Sequence, residues 1–200
     1  RSSSPEDSNY SLDRMLLDFE EVRAELSIKE WLTLGHSFGG VLQTAYVEAY
    51  PQSIKGMMMI NATLNIKEST YSSWIPKAAE FAGVDHALLD ANDSQVILNE
   101  MGKVSKAMDA KGVRWKMAFA ELKNDSIMNA TYHDISNWNN DFSSKALDVE
   151  DYWADFTKGT SRIDTPVLFF YGHTDWMVGP NHYKHVKFPN MILWGSVVGH

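Results

Sequence analysis

The chain has 200 residues and carries 18 Lys and Arg against 26 Asp and Glu, a formal charge of −8. Hydrophobic residues make up 44% and charged residues 22%, which excludes wholesale disorder and allows one or two domains with a sizeable core. So acidic a chain offers no electrostatic footprint for nucleic acid or an anionic membrane, and its longest apolar run, Gly56 to Ile60, is strand-sized, so no membrane span is expected.

Cysteine is absent, which removes disulfide scaffolds and every thiolate nucleophile or metal ligand, and fits a reducing, cytoplasmic compartment. The sequence starts at Arg1 without an initiator Met or leader and stops at His200 directly after an apolar segment. It reads as an interior piece of a longer protein, so a segment expressed alone is expected to leave an apolar sheet edge open.

In chain order, Leu12, Met15, Leu16, Phe19, Val22 and Leu26 recur at i, i+3, i+4 spacing and predict an amphipathic helix over 11–27 with Ser11 as its N-cap. Trp31-Leu32-Thr33-Leu34 reads as a short buried strand. A second helix runs from Val41 to Tyr50 and closes at Pro51, and 55–61 reads as another buried strand. Residues 64–160 carry mainly helical periodicity, with Asp93 as the N-cap of a helix through Val96, Ile97, Met101, Val104 and Met108. Strand character resumes at 166–172, a helical segment is expected near 181–186, and a last strand covers 191–194. This is a parallel α/β pattern, interrupted by one helical block.

Gly35-His36-Ser37-Phe38-Gly39-Gly40 stands where a strand hands over to a helix and matches G-x-S-x-G. A serine at such a turn has its hydroxyl exposed, provided that residues two before and two after it, Gly35 and Gly39, are small. The first turn of the following helix then offers the Phe38 N–H to a developing oxyanion. A serine nucleophile needs a base, and seven histidines compete. His36 adjoins Ser37, and adjacent side chains at a strand end diverge. His86 and His133 fall in the helical block. His182 and His185 fall on the expected helix near 181–186 as exposed residues; as an i, i+3 pair they lack a third metal ligand, and no metal or other cofactor is expected.

In this motif class the chain order is nucleophile, acid, histidine. Asp175 follows the end of the 166–172 strand, Asp164 lies at its wrong end, and His200 follows the 191–194 strand. Ser37, Asp175 and His200 therefore form an ordered set of nucleophile, orienting acid and general base.

These passages, with Ala45-Tyr46, Tyr50-Pro51 and the run from Ile163-Asp164-Thr165-Pro166 to Gly172-His173-Thr174-Asp175, resemble the serine α/β-hydrolases with a helical cap, closest to the prolyl iminopeptidase family. The resemblance covers about half of the chain. It implies an α/β-hydrolase fold whose opening strands lie outside this sequence: core residues 1–63, a cap insert 64–160, and core again over 161–200. It also implies acyl transfer on a short peptide with a free N-terminus, or on an ester, lactone or similar small carbonyl compound beneath an aromatic cap. The family's H-G-G-P-G loop, which supplies the second oxyanion donor, does not occur here.

Aminopeptidases of this kind hold the substrate ammonium with cap carboxylates. Glu100 and Glu121 are the candidates, with Asp125 a further cap acid, and Trp176 is expected at the pocket rim. Epoxide hydrolases and haloalkane dehalogenases carry Asp where Ser37 stands, which disfavours their chemistry. A non-catalytic sensor on the same fold is the alternative from another class. N-x-S/T sequons such as those at Asn61, Asn92, Asn124 and Asn129 arise readily by chance in this composition, and Asn61 is expected at a buried strand end, so they do not argue secretion. Oligomeric state is left open by the sequence.

Overall fold

A computed structural model of the chain describes residues 8–87, 93–133 and 141–200. Asn92 lies outside the described residues, as does the side chain of His133. Helix α1 (Leu12–Glu25) starts at Ser11, whose hydroxyl accepts from the Arg14 N–H at 3.3 Å. Strand β1 (Trp31–His36), helix α2 (Gly39–Ala49) and strand β2 (Ile54–Ile60) follow as expected. Between β2 and the third strand the described residues are all helix, turn or coil. They include α3 (Ile66–Ser69), α4 (Ile75–Ala82), α5 (Ser94–Lys111), α6 (Leu122–His133) and α7 (Asp141–Lys145). Asp93 caps α5 by accepting from Gln95 N and Val96 N. Strands β3 (Val167–Gly172) and β4 (Met191–Ser196) complete a four-stranded, wholly parallel sheet in the order β1-β2-β3-β4. The segment expected as helix near 181–186 is one 3-10 turn, His182–His185, because Pro180 and Pro189 bracket it and leave no room for a longer run.

Helix α2 is the hinge of the packing. Its Ala45, Tyr46 and Val47 close over the sheet with Met57, Met59, Val167 and Phe169. Its Val41 turns toward the helical block and packs with Ile75, Ala78, Ile97, Val104 and Met108. Tyr46 is 1% exposed, and its hydroxyl bonds Glu20 of α1, which is held in turn by Arg23 at 2.7 Å.

The register puts Leu32, Leu34, Met58, Leu168, Ile192 and Trp194 on the other face of the sheet. Leu32 is 70% exposed, Ile192 69% and Trp194 60%. The expectation that 31–34 is a buried strand is thus corrected. An apolar run is consistent with burial on both faces, but β1 is an edge strand and only its Trp31, Thr33, Gly35 face is covered.

Candidate active site

All four strands are parallel, so their carboxyl ends converge on one edge of the sheet. At the end of β1 the chain reverses into α2 through Ser37, which adopts a left-handed φ of 55°. Three backbone hydrogen bonds hold it there. Its N–H donates to the Ile60 carbonyl at 3.2 Å, and its carbonyl accepts from Gly40 N and Thr63 N, both at 3.0 Å. A left-handed L-residue costs about 1–2 kcal/mol and persists only where its surroundings over-determine it.

The glycines divide this task differently from the sequence reading. A Cβ on Gly35 would stand 2.7 Å from the Gly39 carbonyl, and one on Gly40 2.5 Å from the Thr63 carbonyl. Gly39 has open space around it. The close approach therefore falls on Gly35 and Gly40, since position 40 is the one that faces the Ala62–Thr63 segment after β2.

Asp175 lies three residues beyond β3 and is 2% exposed. A buried carboxylate must be fully bonded. Its Oδ1 accepts from Met177 N at 3.0 Å and Val178 N at 3.2 Å, and both oxygens lie 3.1 Å from His200 Nδ1. That carboxylate makes Nδ1 the donor and leaves Nε2 as the free acceptor of the imidazole. The His200 N–H donates to the Ala118 carbonyl at 2.6 Å, which ties the base to the helical block.

The His36 ring packs on the His200 ring with centroids 4.4 Å apart. Burial against this neighbour, reinforced by the His200 charge and opposed by Asp175, holds the His36 imidazole below its ordinary pKa. Asp175 and His200 are thus joined, and the residue before Ser37 packs on the His200 ring. Among the described residues, Ser37 Oγ makes no hydrogen bond to His200, a contact that in unliganded sites often tightens only with substrate. The Phe38 N–H stands ahead of α2, where no preceding helical carbonyl can take it.

A cavity of about 590 Å³ opens beside His200, walled by Ile60, Phe119, Ile127, Met128 and Phe170 together with the polar Asn61, Asn124 and Thr131, and Ser37 is not among its lining residues. Neither Glu100 nor Glu121 lines it. Glu100 Oε1 accepts from Ala87 N and pairs with Lys103, both at 3.0 Å, while Glu121 is exposed and pairs with Lys123 at 2.6 Å. Asp125, the other cap acid, is exposed and bonded by Asn129 Nδ2 at 3.1 Å. Trp176 lines a different cavity with Glu68, Lys77 and His185, the Lys77 ammonium 4.4 Å from its ring. Its backbone N–H donates to the Met117 carbonyl at 3.1 Å.

His182 also departs from expectation. It is 3% exposed, accepts from Leu64 N through Nε2 at 2.9 Å, and sits 2.9 Å from Glu68 through Nδ1. With both ring nitrogens engaged it is no free ligand, and no group of three or more metal-ligating side chains occurs among the described residues.

Residues 1–194 match the family model described as alpha/beta hydrolase fold. The chain belongs to the alpha/beta hydrolase fold family. Within that family it is 23% identical over 184 residues to a (Lyso)-N-acylphosphatidylethanolamine lipase of Homo sapiens, covering 88% of this chain and 54% of that protein. A proline iminopeptidase of Neisseria gonorrhoeae is 38% identical over 45 residues, covering 22% of this chain and 14% of the relative. Among solved hydrolase structures, a proline iminopeptidase-related protein from Thermus thermophilus superposes with a TM-score of 0.69 at 16% identity, covering 93% of this chain and 63% of that one. Est816, described as an N-acyl homoserine lactone degrading enzyme, superposes with a TM-score of 0.65 at 18% identity, covering 100% and 71%. The chain spans about half the length of the lipase it matches. No helix among the described residues is long and apolar enough to cross a membrane.

Proposed function

We propose that this hydrolase-fold chain carries the nucleophile, acid and base of a serine hydrolase acting on a neutral ester or related small carbonyl compound with an apolar acyl group. The observation that carries the reading is the Asp175 carboxylate spanning His200 Nδ1 at 3.1 Å through both oxygens, next to the left-handed Ser37 turn. In this reading Ser37 Oγ attacks the carbonyl carbon as His200 Nε2 takes the hydroxyl proton. Asp175 fixes the ring and stabilises the imidazolium, and the Phe38 N–H bonds the oxyanion. The tetrahedral intermediate collapses, His200 returns the proton to the leaving group, and Ser37 is left acylated. Water, deprotonated by His200, then attacks the acyl carbon and releases the acid and the free serine.

The predominantly apolar cavity beside His200, which also carries Asn61, Asn124 and Thr131, supports a substrate with an apolar group near the base. The engagement of Glu100 by Lys103 and Ala87, and the exposure of Glu121, weigh against a substrate ammonium, because a desolvated ammonium requires a buried counter-charge. One observation favours the aminopeptidase reading instead, the local 38% identity to proline iminopeptidase. The residues 64–160 would form the cap over the site in either case.

Short-chain nitrophenyl esters assayed beside prolyl and alanyl anilides separate the two. Ester turnover with no anilide cleavage is expected, together with fluorophosphonate labelling that Ser37→Ala abolishes. Labelling that survives Ser37→Ala would reject the serine mechanism. Anilide turnover lost in Glu100→Gln or Glu121→Gln would restore the aminopeptidase.

A further inference from the structure

Asn61 is the residue next after β2, and three things about it are unusual together. It is 5% exposed, it adopts a left-handed φ of 45°, and its side-chain amide is used at both ends. Oδ1 accepts from Gly172 N at 2.7 Å and Nδ2 donates to the Gly199 carbonyl at 2.9 Å. Its backbone N–H extends the β2–β3 ladder by donating to the Phe170 carbonyl at 2.9 Å. Gly172 is the last residue of β3, three before Asp175, and Gly199 immediately precedes His200. One buried amide therefore bridges the root of the acid loop and the root of the base loop.

The two loops are pressed together at this point. A Cβ on Gly172 would collide with the carbonyls of Val198 and Gly199, and Thr174 N donates to the Val198 carbonyl at 3.1 Å. Backbone bonds from His173 N to the Ser196 carbonyl at 2.8 Å and from Thr174 N to Val198 hold the loops side by side. The Asn61 amide is the side chain that joins Gly172 to Gly199 itself, because it offers an acceptor on one side and a donor on the other. Among side chains of this shape a carboxyl group supplies an acceptor and a donor there only when protonated, whereas a carboxamide does so at neutral pH. The left-handed backbone aims it, and Asn tolerates that conformation better than most residues. Asn61 also begins an N-x-T sequon, but with both amide atoms bonded inside the fold it is not presented to solvent.

We propose that Asn61 is a positioning residue that sets the Asp175–His200 geometry by clamping Gly172 to Gly199. As a role in turnover this rests on the serine-hydrolase reading; as a statement about the acid–histidine pair it does not. Two variants probe it in the intact protein. Asn61→Gly keeps the left-handed backbone and deletes the amide. Asn61→Asp keeps shape and the bond from Gly172 N but sets a carboxylate oxygen against the Gly199 carbonyl.

Fluorophosphonate labelling, ester kinetics, thermal melting and the low-field proton NMR signal of His200 Nδ1–H are read for each. Melting identifies the folded variants. In these, labelling and kcat are expected to fall at least tenfold with KM within about twofold of wild type, and the low-field signal is expected to shift or broaden. A folded variant with wild-type labelling and an unmoved signal overturns the proposal. If wild type itself is not labelled, the serine-hydrolase reading fails and the NMR signal alone decides whether Asn61 sets the pair. If Asn61→Asp does not fold, Asn61→Gly decides.

Discussion

Replacing Ser37 by glycine should make the protein more stable while removing the proposed nucleophile. Ser37 sits at φ 55°, a conformation that costs an L-residue about 1–2 kcal/mol and glycine almost nothing. Glycine returns about 0.5–1 kcal/mol of that gain through the greater freedom of its unfolded chain. The net expectation is a gain of up to about 1.5 kcal/mol, centred near about 0.75, which in a protein of this size raises Tm by about 1.5–3 °C. Ser37→Ala keeps the Cβ and therefore the strain, and with no hydrogen bond from Ser37 Oγ to His200 to lose it should stay within about 0.5 kcal/mol of wild type. Ser37→Val adds a β-branch to a left-handed turn and should be less stable by about 1 kcal/mol or more. Urea unfolding followed by circular dichroism measures the series, with m unchanged as the sign that only stability has moved. Glycine and alanine variants with coincident midpoints would show that the three backbone bonds at Ser37 hold no strained turn.

The pair at the site predicts that Asp175→Asn lowers kcat by about four orders of magnitude, as when the orienting acid of a serine triad is neutralised, and ester kinetics with a melting curve on the same sample check it. Loss of less than tenfold would mean that another carboxylate orients His200. Acid should find a second weak point at Glu20, whose carboxyl is held down at about 2 chiefly by its hydrogen bond to Arg23, with burial opposing and Tyr46 assisting. A folded pKa below the ordinary 4.5 means that the stabilisation is complete above pH 4.5 and vanishes as pH falls through 2. Glu20→Gln should therefore cost up to about 3 kcal/mol at pH 7 and much less near pH 2, and urea titrations at the two pH values test this. Equal costs at both would show that the charge of Glu20 is not what joins α1 to α2.

The parts of the fold that depend on near neighbours could be read from the sequence. The Ser11 and Asp93 caps, the strand-to-helix turn at Ser37 and the places of Asp175 and His200 just past strand ends all follow from local spacing. What could not be read depends on contacts made across long stretches of chain. His182 reads as an exposed helix residue until Leu64 and Glu68, more than a hundred residues away, close around it. Asn61 is legible as a buried residue at a strand end, as found, but its bridging role emerges only where Gly172 and Gly199 meet at its amide. The glycine that permits close packing after Ser37 proved to be Gly40 rather than Gly39, because the facing backbone belongs to Thr63 in a separate segment. The engagement of Glu100 was within reach of local reasoning, since Lys103 stands at i+3 on the same helix.

The helical block between β2 and β3 has a kinetic consequence. These two strands are neighbours in the sheet, yet about a hundred residues separate the end of one from the start of the other. Closing a loop of that length costs roughly 2 kcal/mol more entropy than closing one of about ten residues, and parallel pairing returns nothing until it is closed. The block shortens the search by folding on itself, because α4 packs on α5, the next helix among the described residues, across far less chain than separates β2 from β3. Docking of β3 on β2 then becomes the slow step of folding. The Asn61 bridge, the Asp175–His200 pair and the cavity beside it all wait for that step, so refolding should restore helical circular dichroism before it restores labelling at Ser37.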